Sequence, residues 1–153
     1  MNLKKLFQEE LILFETSEDI EELFEKVGKY LSDKNLVTDD YIQAVKQREE
    51  EFPTGLLTQY LEIALPHTDS KHIYQPFVAV VRTEQPIHVK QMGDNQSMYT
   101  RDFLFLGIKE AGGYSQVELL SKLMELFSDE KFVSDYKESA TQAQIYKVFN
   151  MYL

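Results

Sequence analysis

The sequence predicts an α/β layered domain, and three observations carry that expectation. Strand-like and helix-like patterns alternate along the chain, with no internal repeat and no Gly/Ser-rich or Pro-rich linker. Ile63 to Leu65, Phe77 to Val81 and Phe103 to Ile108 are nearly continuous apolar runs, the pattern of central strands covered on both faces. Amphipathic segments with helical spacing stand before and after these runs. With 153 residues the chain is expected to form one domain, 1–153, and can bury a sizeable core without metal or disulfide staples.

Composition narrows the function classes. The absence of cysteine removes disulfides, thiolate catalysis and Cys-ligated metals together, and fits a reducing, cytoplasmic setting. The formal net charge of −10 disfavours nucleic-acid binding through a broad basic field, and leaves an acidic surface able to steer basic partners. No run of about 18 apolar residues exists, so no direct membrane insertion is expected. The first ten residues turn acidic before any long apolar stretch, unlike a signal peptide.

Taken in order, Leu11 to Phe14 is a short apolar run that reads as a strand. Glu15, Thr16 and Ser17 start a helix, with Glu18 and Asp19 in its first turn complementing the dipole. Ile20, Leu23, Phe24, Val27, Tyr30 and Leu31 follow at helical spacing, and the helix is expected to end between Ser32 and Asn35. A second helix begins near Thr38 or Asp39 and runs to about Glu51. Tyr41, Ile42 and Val45 lie on one face, and Lys46, Arg48 and Glu49 on others. Phe52, Pro53, Thr54 and Gly55 break it.

After the strand at Phe77 to Val81, Thr83 to Pro86 reads as a turn and Ile87 to Gln91 as a short alternating strand, with His88 on its surface side. Met92 to Ser97 is a loop, followed by the strongest buried-strand signal, Phe103 to Ile108. Ala111, Gly112 and Gly113 form a flexible turn that matches no phosphate-binding glycine pattern. Ser115, Gln116, Val117 and Glu118 match a capping box and open a helix with Leu119, Leu120, Leu123, Met124 and Phe127, of which Met124 and Phe127 are assigned to the core. A short helix from about Glu130 to Tyr136 follows, and a second capping box, Thr141 to Gln144, opens the last helix. Without a glycine-rich nucleotide loop, no ATP or NAD cofactor is expected.

The stretch around which the chain is organised is Leu61 to Asp69. An apolar strand, Ile63 to Leu65, stops at Pro66, which lacks the N–H needed to extend a sheet ladder. His67 is thus the first side chain beyond a rigid strand end, where open α/β sheets tend to place their sites. Three readings of His67 compete: a satisfied structural histidine, a metal ligand, or a nucleophile or acid–base group. The metal reading is weak, because His72 and His88 form no close ligand pair with His67 and no His-Glu-x-x-His helix is present. A lone neutral imidazole can still accept a phosphoryl group on one nitrogen while the other donates a hydrogen bond. Arg48 also has two readings, a glutamate partner on its own helix or an anion reached from the helix end. Thr54 is a turn residue or a hydroxyl aimed at phosphate, and Gly55 could allow the backbone to approach that anion closely.

The combination Arg48-Glu49 … Pro53-Thr54-Gly55-Leu56 … Ile63-Ala64-Leu65-Pro66-His67-Thr68-Asp69 resembles the enzyme IIA domain of the bacterial phosphoenolpyruvate-dependent sugar phosphotransferase system, of the fructose/mannitol-like type. Gln75 to Val80, Val89 to Gly93, Phe103 to Leu106 and Gln116 to Met124 continue the match over nearly the whole chain. Pro53-Thr54-Gly55-Leu56, Ala64 to Asp69 and Met92-Gly93 are most similar to the galactitol subgroup. The resemblance implies a three-layer α/β/α fold with a mixed sheet of about five strands and flanking helices. It further implies a phosphotransferase in which His67 accepts a phosphoryl group from the phosphocarrier protein HPr and passes it to a cysteine of a cognate enzyme IIB, and through it serves a membrane enzyme IIC. Arg48 would stabilise the phosphoryl group and Thr54 would stand beside it, with no metal ion required. Where mannitol and fructose members commonly carry a second histidine, this chain has Gln116, an amide that can donate to phosphate but cannot become cationic. A regulatory module that binds a partner according to the phosphorylation state of His67 would use the same residues.

Overall fold

The structure, a computed structural model, describes residues 2–110 and 113–153. Five strands and five α-helices are present in these residues: β1 (Phe7–Glu15), α1 (Ile20–Asp33), α2 (Tyr41–Glu51), β2 (Gly55–Leu57), β3 (Glu62–Ala64), β4 (Phe77–Lys90), β5 (Ser97–Gly107), α3 (Gln116–Phe127), α4 (Glu130–Glu138) and α5 (Gln142–Tyr152). The sheet order is β1-β4-β5-β3-β2. It is mixed: β1 runs parallel to β4 and β3 parallel to β5, whereas β4–β5 and β2–β3 are antiparallel.

The near-continuous apolar runs are explained by alternation across two covered faces. Val78, Val80, Leu104 and Leu106 face one core with Leu119, Leu123, Phe132, Tyr136 and Phe149 of α3, α4 and α5. Phe77, Ala79, Val81, Phe103 and Phe105 face the other, against Leu23, Phe24, Val27 and Leu31 of α1 and Tyr41 and Val45 of α2. Each residue of these runs is therefore buried whichever way it points, which gives the three α/β/α layers. At the end of β5 the sheet has no room for a side chain, since a Cβ on Gly107 would stand 2.1 Å from the Phe77 ring.

The helix starts follow their caps. Asp19 caps α1 by accepting from the Glu22 N–H at 2.8 Å, so Glu21 and Glu22 occupy the first turn, not Glu18 and Asp19. Asn35, in the left-handed region with φ 59°, ends the turn after α1. α2 begins at Tyr41, two to three residues later than the spacing suggested. Ser115 caps α3 through the Glu118 N–H, Asp129 caps α4, and Thr141 with Gln144 closes a complete capping box on α5.

Three expectations are corrected. The Thr83 to Pro86 segment is not a turn between two strands, because β4 runs through it. Arg82 pairs with Asp102 and Ile87 with Thr100, so the intervening residues form a bulge in which Pro86 is exposed. Met124 is not core: it is 39% exposed, while Leu119, Leu123, Leu126 and Phe127 form the buried stripe of α3. Glu49 does not lie on a solvent face; it is buried with Tyr41 and Val45. Of the turn at Ala111 to Gly113, the first two residues lie outside the described ones, and Gly113 has φ 87°.

Candidate functional site

The site is built at the end of the sheet where β3 and β5 finish and β2 begins. β3 is named only as far as Ala64, but its pairing with β5 continues beyond it. The Pro66 carbonyl accepts from the Leu106 N–H at 2.9 Å, and His67 forms a bridge to Leu106. Pro66 contributes no N–H, yet its carbonyl faces β5 and does the pairing. His67 is therefore held by the sheet and stands half-buried at its rim.

The chain reaches the same rim from the other side. α2 ends at Glu51, and the loop 52–54 turns the chain into β2, whose Gly55 pairs with Ala64 and Leu56 with Ile63. That antiparallel register sets Thr54 opposite Leu65. The Leu65 N–H points at both the Thr54 carbonyl, 3.3 Å away, and the Thr54 hydroxyl, 3.2 Å away. Thr54 is buried, and its own N–H and O–H both donate to the carboxylate of Glu49, at 2.8 and 2.7 Å. Gly55 has a packing reason for lacking a side chain: a Cβ there would lie 2.6 Å from the Lys90 carbonyl oxygen. This close approach is to β4.

His67 Nδ1 lies 2.8 Å from the Leu65 carbonyl oxygen. A carbonyl only accepts, so in the neutral ring Nδ1 carries the proton and Nε2 keeps its lone pair. The pKa of His67 is lowered from its ordinary 6.5, chiefly by burial. The bond to Leu65 opposes that shift, the positive charge of Arg48 adds to it, and Asp69 opposes it. The ring is thereby kept neutral, which is the form a nucleophile needs.

Arg48 forms no ion pair with a glutamate of α2. Its guanidinium lies over the ring of Phe52, 4.9 Å from the centroid, and its Nε is buried without a hydrogen-bond partner. A positive, planar donor group with an unmet N–H beside a neutral imidazole is suited to an oxyanion such as phosphate.

Of the four residues singled out from the sequence, Arg48, Thr54 and His67 are brought to one rim, Thr54 through Leu65 and Arg48 through its charge on the ring. Gln116 is the half-buried first residue of α3, beyond the carboxyl end of β5, and no hydrogen bond joins it to the other three. Glu49 was missed. The signal was present in its spacing, since Tyr41, Val45 and Glu49 recur every four residues along one stripe of α2. Among the described residues, no group of three or more His, Cys, Asp or Glu could hold a metal ion, and no helix is long and apolar enough to cross a membrane.

The described residues thus form a five-stranded mixed sheet between two helical layers, with His67 at the strand rim and an arginine whose Nε is buried without a partner. Residues 5–152 match the family described as the phosphoenolpyruvate-dependent sugar phosphotransferase system, EIIA 2, and the chain belongs to that family of phosphotransferase components. It is 31% identical over 129 residues to the mannitol-specific phosphotransferase enzyme IIA component of Staphylococcus aureus (strain N315), covering 84% of this chain and 83% of that one. It is 30% identical over 80 residues to the galactitol-specific EIIA component of Escherichia coli (strain K12). That match spans 52% of this chain and 53% of the relative, about half the length of each. In fold it is similar to enzyme IIA mannitol of Escherichia coli, solved in complex with phosphorylated enzyme IIB mannitol. The TM-score is 0.74 at 17% identity, over 95% of this chain and 99% of that one.

Proposed function

We propose that this chain is a phosphoryl relay of a sugar phosphotransferase system. His67 accepts a phosphoryl group from phospho-HPr and passes it to a cysteine of a cognate enzyme IIB, in the uptake of galactitol or a related sugar. The observation that carries the reading is the bond from His67 Nδ1 to the Leu65 carbonyl, which leaves Nε2 as the free nucleophile. The Nε2 lone pair forms the new N–P bond as the bond from phosphorus to the donor breaks, and the reverse displacement delivers the group to the thiolate of enzyme IIB. Nothing in either step requires a metal: the transferring oxyanion is met by the guanidinium of Arg48. Gln116, at the first position of α3, offers an amide donor at the positive end of a helix dipole. The relatives support the sugar-transport role, one being named for galactitol and one for mannitol, and the structural neighbour is bound to an enzyme IIB.

The test is intact mass after incubation with enzyme I, HPr and phosphoenolpyruvate, for the wild type and His67→Ala. An acid-labile phosphoryl increment on the wild type alone, drained on addition of the cognate enzyme IIB, is the expected result. No increment on folded wild type, with a control enzyme IIA working, overturns the reading. An increment that no enzyme IIB drains would make His67 a regulatory switch.

A further inference from the structure

We propose that Glu49 is a positioning residue for His67, acting through a directed hydrogen-bond chain that runs Glu49, Thr54, Leu65, His67. The inference rests on His67 being the phosphoryl acceptor. The chain has one direction. The Glu49 carboxylate can only accept, and it takes both the N–H and the O–H of Thr54, at 2.8 and 2.7 Å. With its proton committed to Glu49, the Thr54 oxygen presents a lone pair to the Leu65 N–H, at 3.2 Å. The Leu65 N–H, which the Thr54 carbonyl also accepts at 3.3 Å, is thereby held by a second acceptor, and the Leu65 carbonyl accepts from His67 Nδ1 at 2.8 Å. Each donor in the series is assigned by the acceptor before it, so an ionised Glu49 determines which way the Thr54 hydroxyl faces and, together with the sheet pairing, steadies the Leu65 carbonyl.

The surroundings of Glu49 argue that more than local stability is at stake. Glu49 is only 9% exposed and has no cation in contact with it, since Arg48 beside it turns to Phe52. Its pKa stands above the ordinary 4.5, because burial outweighs the two bonds from Thr54 that act the other way. A buried carboxylate met only by hydrogen bonds is an expensive way to close a three-residue loop, which a backbone turn would close without burying a charge. What only a carboxylate supplies is acceptance without donation. A glutamine would place an NH2 against the Thr54 oxygen, competing with the Leu65 N–H for its lone pairs.

The experiment compares Glu49→Gln, Thr54→Val, Thr54→Ser and the double variant Glu49→Gln/Thr54→Val with the wild type. The first readout is the ring-nitrogen chemical shifts of His67 above its pKa, which report how often the proton sits on Nδ1. The second is the rate of phosphoryl acceptance as HPr concentration is varied. Glu49→Gln and Thr54→Val are expected to fold, to lower the share of Nδ1–H, and to slow acceptance at saturating HPr on the order of tenfold with little change in KM. Thr54→Ser keeps the hydroxyl and is expected to behave as wild type. The double variant is expected to be no slower than the worse single, because both act along one route. Unchanged ring shifts in both single variants, or rate losses that multiply in the double variant, would overturn the proposal. Should Glu49→Gln not fold, Thr54→Val against Thr54→Ser decides the same question. The ring shifts need no phosphate, so they decide the role of Glu49 even if wild type accepts none, an outcome that would count against the relay alone.

Discussion

His67 Nδ1 and the carbonyl oxygen of Leu65 stand 2.8 Å apart, a bond between a side chain and the backbone two residues before it. Pro66 lies between them, and its fixed φ holds the intervening link rigid. The bond chooses the tautomer, aims Nε2 outward, and leaves no rotation of the ring to be frozen when phosphate arrives. Phosphate is accordingly expected on Nε2. Ring-nitrogen NMR of the phosphorylated protein checks this, and a phosphoramidate on Nδ1 would contradict the geometry directly.

The lowered pKa of His67 sets a pH window. Its unfolded value is the ordinary 6.5, and burial holds the folded value below that. In the interval between the two, the unfolded chain binds more protons than the folded one, so stability rises with pH there. The contribution is complete above 6.5 and is lost as pH falls through the folded pKa. The rate of phosphoryl acceptance should follow the same neutral fraction and fall with a midpoint below pH 6.5. An NMR titration of His67 beside a pH–rate profile measures both. A midpoint at or above that of a free histidine would refute the assignment.

Gly107 is expected to be intolerant of even a methyl group. A Cβ there would meet the Phe77 ring at 2.1 Å, and Phe77 is itself fully buried. Gly107→Ala should cost about 1–3 kcal/mol in urea unfolding, and it should disturb His67 through the adjacent Leu106. A variant as stable as wild type would show that Phe77 can move.

Much of this was legible in the sequence, and the exceptions share a physical cause. The runs at Ile63, Phe77 and Phe103 announced central strands because two covered faces make every residue apolar. Thr141 and Gln144 announced a helix start because a capping box is wholly local. Arg48, Thr54 and His67 are singled out through the family resemblance, since local chemistry alone left each of them a structural reading as well. Glu49 was legible only through its four-residue spacing from Tyr41 and Val45, because in a run of three glutamates composition does not say which one is buried, and Thr54 donates to it only once the chain folds back. Thr83 to Pro86 looked like a turn for the same reason. Its polar residues and proline are local facts, whereas the bulge that carries β4 through them is imposed by pairing with β5.

Gln116 is expected to matter less than Arg48. It sits at the first helical position of α3 and makes no bond to His67, so it can reach a phosphoryl group only after that group has arrived. Gln116→Ala should slow acceptance by less than about tenfold, because a neutral hydrogen-bond donor contributes roughly half as much as a charged one. Gln116→His should be active and acquire a pH dependence of its own. A Gln116→Ala variant as slow as Arg48→Ala would give the two residues equal weight.

Arg48 carries the strongest prediction, because its state in the structure is unsatisfied. Its Nε is buried with no partner, and its guanidinium rests on Phe52, itself 59% exposed, 4.9 Å from the ring centroid. A buried N–H without an acceptor is a stability cost of about 1–3 kcal/mol that a bound phosphoryl oxygen would relieve. Arg48→Ala should therefore leave the urea midpoint unchanged or raise it slightly, while slowing phosphoryl acceptance on the order of a hundredfold. His67 should remain the residue that carries the phosphate. Arg48→Lys should recover little of the rate, since an ammonium cannot offer the planar fork or stack on Phe52 in the same way. Phe52→Ala should fall between wild type and Arg48→Ala, because it frees the guanidinium without removing it. Stopped-time phosphorylation assays beside urea unfolding separate the two effects. A variant that loses stability and rate together would mean that Arg48 holds the rim in place, and a variant of normal rate would take it out of the chemistry.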